Sequence, residues 1–326
     1  MTVAIASVNS AVERLLVVAG HRPGAVHRLV GDATLAGGKG VNVARVLATL
    51  RAGGPYDVLG SARTHAAPGP LLFGFRGGAT GRLFAELLAA EALPAALVET
   101  AGATRVNEVL VDRSDPAGAT VYNAVGDPVT AAELALLDEA FESALDGAEA
   151  LVCTGSTQPG VPEDQYARWI VRARERGVPS VLDAHGPALR AGAAAGPDVV
   201  KVNAEELAGL AGPPPGPDPH TVARGWLAAG SRCVIITDGA TPAVALTREA
   251  RYEVVPPAVA ARSGVGSGDA FLAGLVHSML GAPGGGWERH LRAAAACGAS
   301  NAAGERAGLS PDAPPAALLA RVEVRS

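Results

Sequence analysis

Short apolar segments that favour strands alternate with helical patterns through most of this chain, and this alternation constrains the fold more than any other feature. The predicted strands lie near residues 3–8, 150–154, 180–183, 199–202 and 233–237. The predicted helices lie near residues 133–145, 165–176, 205–210 and 222–229. Such alternation is typical of a parallel sheet covered by helices on both faces. We therefore predict an α/β fold, with ligands bound beyond the carboxyl ends of its strands.

The early part of the chain has strand-like segments without long helices between them, near residues 13–18, 28–35, 104–111 and 120–123. They predict a small separate sheet, a natural flap over a site, with its strands within about residues 10–36 and 96–124. The proline-rich segment 213–219 reads as a surface loop because proline cannot continue a regular element. We predict one domain over residues 1–326.

Composition favours a protein that binds small molecules. The 326 residues are 48% hydrophobic and 4% aromatic, and the formal net charge is −5. Neither the charge nor the few aromatic residues suit nucleic acid. No apolar run reaches the roughly 18 residues of a membrane span, and the first residues do not resemble a targeting segment, so we expect a cytoplasmic protein. The cysteines, 153, 233 and 297, lie in apolar stretches and are predicted to be core residues.

A glycine-rich segment precedes an apolar helical run at residues 271–280. Gly264, Gly266 and Gly268 surround Ser267, and Asp269 follows directly. Such a loop can aim backbone N–H groups at one point, and a helix N-terminus behind it favours an anion. Asp269 is placed to remove a proton from an attacking hydroxyl, which indicates phosphoryl transfer. The glycine spacing does not fit a dinucleotide fingerprint, whereas a glycine-rich turn with Asp269 as helix N-cap is an open alternative.

Two signatures resemble those of the ribokinase-like, PfkB-type carbohydrate kinases. The first is Gly37-Gly38-Lys39-Gly40-Val41-Asn42, and the second runs from Gly266 to Gly274 and contains Asp269. Residues 74–81, 104–107, 155–160 and 203–206 add smaller matches, which are most similar to the branch of 1-phosphofructokinase and tagatose-6-phosphate kinase. The resemblance implies a three-layer α/β/α fold with a mainly parallel central sheet and a small β-sheet lid. It also implies the use of ATP and Mg²⁺.

The resemblance also implies roles for individual residues. The catalytic group is Asp269 as general base, with an anion hole at Gly266, Ser267 and Gly268. The substrate-binding group is Glu13, Gly37, Gly38, Lys39, Asn42, Arg105, Asn107 and Ser156. The ATP-binding group is Lys201, Thr237, Gly239, Gly266, Gly268, Gly298 and Asn301, and the metal group, acting through water, is Asn203 and Glu206. Simpler alternatives are a helix-capping pair at 203 and 206, a plain turn at 238–239 and close helix packing at 298.

In the branch that the chain resembles, the arginine of the Thr-Arg-x-Asn segment contacts the phosphate already on the substrate, so Arg105 together with Lys39 favours a phosphorylated acceptor. An exposed residue of the lid is the open alternative for Arg105. Glu13 stands where the branch usually has Asp, and residues 61–70 look like an insertion, so specificity is open. We therefore predict ATP-dependent phosphorylation of a sugar phosphate. The alternatives are a kinase of a free sugar or a cyclitol phosphate, and a non-catalytic sugar-binding or regulatory protein. We also expect a homodimer formed through the lid, because its strand edges need cover.

Overall fold

Helices and strands alternate along the protein. The structure, a computed structural model, describes residues 2–60, 69–115, 119–211 and 219–326. The strands are β1 (Thr2–Ser7), β2 (Ala11–Val18), β3 (Gly31–Gly37), β4 (Gly69–Gly77), β5 (Ala95–Thr100), β6 (Arg105–Asp112), β7 (Ala119–Tyr122), β8 (Ala148–Thr154), β9 (Ser180–Asp183), β10 (Val199–Asn203), β11 (Cys233–Thr237), β12 (Ala243–Leu246), β13 (Arg251–Val255) and β14 (Glu323–Arg325). The helices are α1 (Lys39–Ala52), α2 (Gly78–Ala90), α3 (Ala131–Leu145), α4 (Gln165–Glu175), α5 (Gly186–Ala194), α6 (Ala204–Ala211), α7 (Pro219–Ala229), α8 (Ser267–Gly281), α9 (Gly286–Ala302) and α10 (Pro315–Leu318).

The larger of two sheets forms the centre of the molecule, with ten strands in the order β14-β13-β12-β11-β10-β9-β8-β1-β4-β5. Neighbouring strands from β5 to β11 are parallel, whereas β12, β13 and β14 add to one edge in antiparallel fashion. The prediction of a mainly parallel sheet is confirmed. Its parallel strands end on one rim, where β9, β10 and β11 finish at Asp183, Asn203 and Thr237.

Two apolar clusters, one on each face of the large sheet, produce the three layers. Side chains alternate along a strand, so Val3 and Ile5 of β1 enter one cluster while Ala4 and Ala6 enter the other. Helices α1, α2, α8, α9 and α10 cover the first face, and α3 to α7 cover the second. The three cysteines are buried in these clusters, as predicted, and burial raises the pKa of each thiol.

The smaller sheet has the strand order β3-β2-β6-β7, and we call it the small sheet. A satellite cluster of Leu15, Val17, Val109 and Val111 packs on one of its faces. Two predicted boundaries need correction. Strand β3 begins at residue 31 rather than 28, because residues 19–30 form an exposed loop with Gly20 and Gly24 at positive φ. Residues 95–100 belong to the large sheet, because α2 returns the chain to pair with β4 in parallel.

Two sequence predictions fall outside the described residues or reach only their margin. The segment 61–70 enters the description only at its last two residues, which begin β4. The predicted proline-rich loop 213–219 is described only at its last residue, where α7 begins. Among the helices within the described ranges, none has the length and apolar character that crossing a membrane requires.

Candidate active site

The glycine-rich loop and α8 form the first part of the site. Gly266 has φ of 80°, and a Cβ atom there would lie 2.6 Å from the Cβ of Ala307, so only glycine fits. No described residue accepts a hydrogen bond from the N–H groups of Gly266 and Gly268. The Ser267 N–H donates to the Gly264 carbonyl, 3.1 Å away. The turn therefore engages the Ser267 N–H internally, and its part in the predicted anion hole stays a prediction.

Asp269 lies in the first turn of α8 and is buried. Its Oδ2 accepts a hydrogen bond of 2.8 Å from the Asn42 amide. Burial and the nearby Asp183 charge raise the pKa of Asp269 to about 6, against the opposing effects of Lys39, Asn42 and Lys201. The alternative role as helix N-cap is wrong, since the N-cap is Gly266 and Asp269 bonds to another helix. Such a carboxyl is deprotonated at neutral pH and basic enough to take a proton.

Asn42 and Arg45 connect α1 to this carboxylate. Asn42 is buried, its amide donates to Asp269, and its Oδ1 accepts a bond of 2.9 Å from Arg45. The prediction gave Asn42 to the acceptor hydroxyls. The described contacts instead use both ends of its amide inside the protein, where it orients the carboxylate of Asp269.

Lys39, Asp183, Lys201, Glu206 and Asp269 form a group of charges that we call the charge cluster. Asp183 is fully buried, and its two oxygens accept from Lys39 Nζ at 3.0 Å and from Lys201 Nζ at 2.9 Å. Lys39 Nζ also donates to Glu206 Oε1 at 3.3 Å. Burial alone would raise the pKa of Asp183, but Lys201 and Lys39 outweigh it and hold that pKa below its ordinary value. The carboxylates outnumber the ammonium groups by one, so the charge of Asp269 is not balanced within the cluster.

The cluster changes the interpretation of both lysines. Lys39 was predicted to offer a free charge to the acceptor, and Lys201 to approach the nucleotide from a strand end. Both are paired with Asp183, and Lys201 is 3% exposed, so it is a core ammonium rather than a solvated one. Asp183, the last residue of the predicted strand 180–183, was given no role. The available signal was an acidic residue directly after an apolar strand, where a carboxylate is rarely buried without a partner.

Asn203 and Glu206 lie where β10 enters α6, as predicted for the metal group. The Asn203 N–H donates to Glu206 Oε2 at 3.0 Å, and the Glu206 N–H donates to Asn203 Oδ1 at 2.6 Å. This reciprocal pair is the capping arrangement that the sequence left open, and it is confirmed. Within the described ranges, no three His, Cys, Asp or Glu side chains are grouped as metal ligands. A metal role for the pair stays a prediction.

A cavity of about 510 Å³ lies between the small sheet and the rim of the large sheet. It brings together predicted residues from distant parts of the chain, namely Glu13, Gly38, Lys39, Asn42, Arg105, Asn107, Ser156, Gly266 and Asp269. Gly37 lies just behind Glu13, because a Cβ atom there would be 2.7 Å from the Glu13 Cβ. Burial raises the pKa of Glu13, and the Arg45 charge opposes it. A larger cavity of about 810 Å³ under the small sheet contains none of the predicted site residues.

Arg105 enters this cavity from β6 and is held by main-chain carbonyls. Its Nε and Nη2 donate to the Asn9 carbonyl at 3.1 and 2.6 Å, and Nη1 donates to the Ala124 carbonyl at 2.6 Å. Burial lowers the pKa of Arg105. Three of the five guanidinium N–H groups are thus engaged, and the other two can meet an anion. Arg105 is an ordered wall of the cavity rather than an exposed residue of the lid.

Asn9 is a second residue that the prediction missed. Besides accepting from Arg105, it donates through its amide to Ser156 Oγ at 3.0 Å and to the Val125 carbonyl at 3.3 Å. Asn107 holds the same wall of the cavity, because its Oδ1 accepts a hydrogen bond of 3.1 Å from the Ala124 N–H. An asparagine directly after β1, on the predicted rim, was the signal available in the sequence.

The predicted nucleotide residues do not form one wall. Asn301 donates to the Val265 carbonyl and to Ser267 Oγ, and its Oδ1 accepts from the Gly308 N–H, so it ties the glycine-rich loop to α9. A Cβ at Gly298 would lie 3.3 Å from the Ser267 carbonyl oxygen, which makes this glycine a helix-packing position. Both residues thus have structural contacts, and contact of either with the nucleotide stays a prediction.

Two further nucleotide candidates do lie on the rim. Thr237 ends β11, where its hydroxyl donates to the Val202 carbonyl at 3.4 Å. Gly239 follows at φ of 53°, in a turn closed by the Thr241 N–H on the Asp238 carbonyl. The turn is the plain alternative that the sequence left open, and contact of either residue with a nucleotide stays a prediction.

Known proteins resemble this chain along nearly its whole length. Residues 2–313 match the model of the pfkB family carbohydrate kinases. A 1-phosphofructokinase of Rhodobacter capsulatus is 34% identical over 281 residues, which cover 85% of this chain and 84% of that protein. A 1-phosphofructokinase of Xanthomonas campestris is 31% identical over 280 residues, with coverages of 84% and 83%.

Solved structures share the fold. Phosphofructokinase-2 from Escherichia coli, in complex with potassium, superposes with a TM-score of 0.82 at 24% identity and covers 98% of both chains. A possible 1-phosphofructokinase from Thermotoga maritima gives a TM-score of 0.81 at 20% identity, covering 100% of this chain and 99% of that one. The three layers and the small sheet are therefore shared with proteins whose sequences have diverged widely.

Proposed function

Because this chain belongs to the pfkB family of carbohydrate kinases, we propose that it transfers the γ-phosphoryl group of ATP to a hydroxyl of a sugar phosphate. Fructose 1-phosphate is the first candidate acceptor, since both curated relatives described above are named 1-phosphofructokinase. The observation that carries the proposal is one cavity lined by Asp269, Gly266 and Arg105. A base, an anion-binding loop and a cation for a second phosphate thus face the same space.

The reaction follows from the positions of these groups. The acceptor hydroxyl attacks the γ-phosphorus while Asp269 takes its proton, and ADP leaves with the electrons of the broken P–O bond. The N–H groups of Gly266 and Gly268, at the N-terminus of α8, stabilise the negative charge that spreads over the transferred oxygens. The raised pKa of Asp269 suits this role, because a stronger base draws the proton more effectively while remaining ionised at neutral pH.

Arg105 and Glu13 define the acceptor. The two free N–H groups of Arg105 suit a phosphate that the substrate already carries, because a guanidinium binds such oxygens in pairs. Glu13 faces the same cavity and accepts hydrogen bonds from sugar hydroxyls. Thr237 and Gly239, at the end of β11 on the same rim, are the residues proposed to contact the nucleotide phosphates.

Magnesium fits the oxygen atoms at the start of α6. Asn203 and Glu206 offer an amide and a carboxylate oxygen of the kind that Mg²⁺ binds, and the Glu206 side chain is 16% exposed. In this proposal they hold the ion through water, and the ion, when bound, neutralises charge on the nucleotide phosphates. Lys39 donates to Glu206 Oε1 at 3.3 Å and helps to fix the position of the carboxylate.

The test is ADP release from ATP and Mg²⁺ with a panel of acceptors. We expect turnover of a ketose phosphate, fructose 1-phosphate first, and no comparable turnover of free sugars or nucleosides. Turnover confined to neutral acceptors would contradict the assignment of a sugar phosphate as acceptor, but it would support the assignment as a kinase. Turnover of a cyclitol phosphate alone would move the acceptor to that class. Ligand binding without any turnover would favour a non-catalytic sugar-binding or regulatory protein.

The small sheet is also proposed to join two copies of the chain in a homodimer. Of the ten large apolar side chains that are exposed in the described part of the chain, seven lie in this sheet or in its adjoining loops, including Val26 at 97% and Tyr122 at 58% exposure. Strands β3 and β7 leave two open edges. Sedimentation at several concentrations tests this. Val26→Glu should weaken a dimer, and Val171→Glu, an exposed site on α4, is the matched control.

A further inference from the structure

Asp183 joins two lysines that approach the reacting groups from different sides. We propose that Asp183 is a positioning residue that fixes Lys39 and Lys201 around the phosphoryl group in transit, an inference that rests on the proposed function. Its two carboxylate oxygens each hold one ammonium group, at 3.0 and 2.9 Å, and the residue is fully buried. Asp183 is not among the residues that line the cavity of about 510 Å³, so it acts through the two lysines.

Lys201 places its charge directly under the glycine-rich loop. A Cβ atom added to Gly268 would lie 2.7 Å from Lys201 Nζ, so the ammonium group lies against the Gly268 backbone. Gly268 carries one of the two free N–H groups and immediately precedes Asp269. The ammonium group therefore adds positive charge at the end of α8 that receives the anion, and Asp183 fixes its position.

Lys39 places its charge on the acceptor side. It begins α1 directly after Gly38, and it lines the cavity that contains Arg105 and Asp269. Its ammonium group is shared between Asp183 and Glu206, with 32% of the side chain exposed. An ammonium held at this point faces the oxygens that pass from donor to acceptor, because Asp269 marks where the attacking hydroxyl lies.

The bridge matters because like charges repel. Without the carboxylate, Lys39 and Lys201 would be two cations next to a neutral amide, and Glu206 could retain only Lys39 by a direct contact. Lys201 would lose its described ion-pair partner and move away from Gly268. The electrostatic stabilisation that is lost then belongs mainly to the transition state, where charge spreads over the transferred oxygens. The binding of either substrate is weakened less.

The experiment compares steady-state kinetics of the wild type and Asp183→Asn, with both substrates varied. We expect kcat to fall about 100-fold, the effect of a displacement of about 1 Å in a positioned group, while the KM for each substrate changes far less. The matched control is Asp138→Asn. That carboxylate ties α3 to α4 through Gln165 and Trp169, away from the cavity, and its loss should lower stability without lowering kcat.

A second variant keeps the test decisive if Asp183→Asn alone does not fold. Lys201→Met with Asp183→Asn removes one charge of each sign, and it is compared with Lys201→Met alone. We expect a further fall in kcat in the double variant, because replacing Asp183 removes the carboxylate that holds Lys39, which Lys201→Met alone retains. Unchanged kcat on loss of Asp183, in either background, overturns the inference and leaves the proposed function intact. A wild-type protein that turns over no acceptor of the panel, phosphorylated or neutral, overturns both.

Discussion

Lys39 and Asp269 of the charge cluster line the same cavity as the small-sheet side, yet different forces hold the two regions. In the cluster, buried carboxylates bind ammonium groups, as Asp183 does with Lys39 and Lys201. On the other side, Arg105 and Asn107 are bonded to neutral main-chain groups of Asn9 and Ala124. Removing one partner of a buried ion pair leaves an unpaired charge, whereas a main-chain contact is a modest interaction that neighbours can replace. The residues proposed to transfer the phosphoryl group are therefore held more rigidly than those proposed to bind the acceptor.

The largest effect should come from the centre of the charge cluster. Asp269→Asn removes the base but keeps the volume of the side chain, so kcat should fall about 10²–10⁴-fold while the KM for ATP stays close to that of the wild type. Asp238→Asn, in the turn after β11, is the control and should retain activity. Steady-state kinetics measure both. A loss in kcat below tenfold would show that another group removes the proton.

Substitutions on the small-sheet side of the cavity should change the KM for the acceptor rather than kcat. Arg105→Met removes charge-assisted bonds to the acceptor phosphate, which are worth about 1.5–3 kcal/mol, so the acceptor KM should rise about 10–100-fold. Arg14→Met is the matched control, since Arg14 lies on the neighbouring strand and pairs with Glu108 at 3.5 Å, outside the cavity lining. If the KM for a phosphorylated acceptor is the same in both variants, Arg105 does not bind that phosphate.

The same contrast explains what could be read from the sequence. Periodicity and strand ends placed β9, β10 and β11, because local patterns determine these elements. Local sequence patterns could not predict the ion-pair partners of Lys39 and Lys201. Asp183 lies far from Lys39 along the chain, and only the order of strands in the sheet brings them together. The contacts of Asn301 could not be predicted for the same reason, since its bonds to the glycine-rich loop depend on how α9 packs on α8.

The pH dependence tests the electrostatics of the charge cluster. Asp269 must be ionised to act as base, and burial raises its pKa to about 6. We therefore expect kcat/KM to fall as pH drops through about 6, by roughly tenfold for each unit below it, and to level off above it. Profiles should be recorded at constant ionic strength and corrected for ionisation of the acceptor phosphate. A profile that stays flat down to pH 5 would contradict the raised pKa of this carboxyl.

The smallest effect should come from the contact that joins the small sheet to the body. Arg113, just beyond β6, donates to both oxygens of Glu305 at 3.0 and 3.3 Å, but the two side chains are 52% and 31% exposed. Solvent screens such a pair, so Arg113→Met should lower the free energy of unfolding by less than about 1 kcal/mol. Arg45→Met is the comparison, because Arg45 is 16% exposed and holds both Glu91 and Asn42. Urea unfolding of both variants should show the larger loss for Arg45. Equal losses would mean that the exposed Arg113–Glu305 pair contributes as much stability as the more buried Arg45–Glu91 pair.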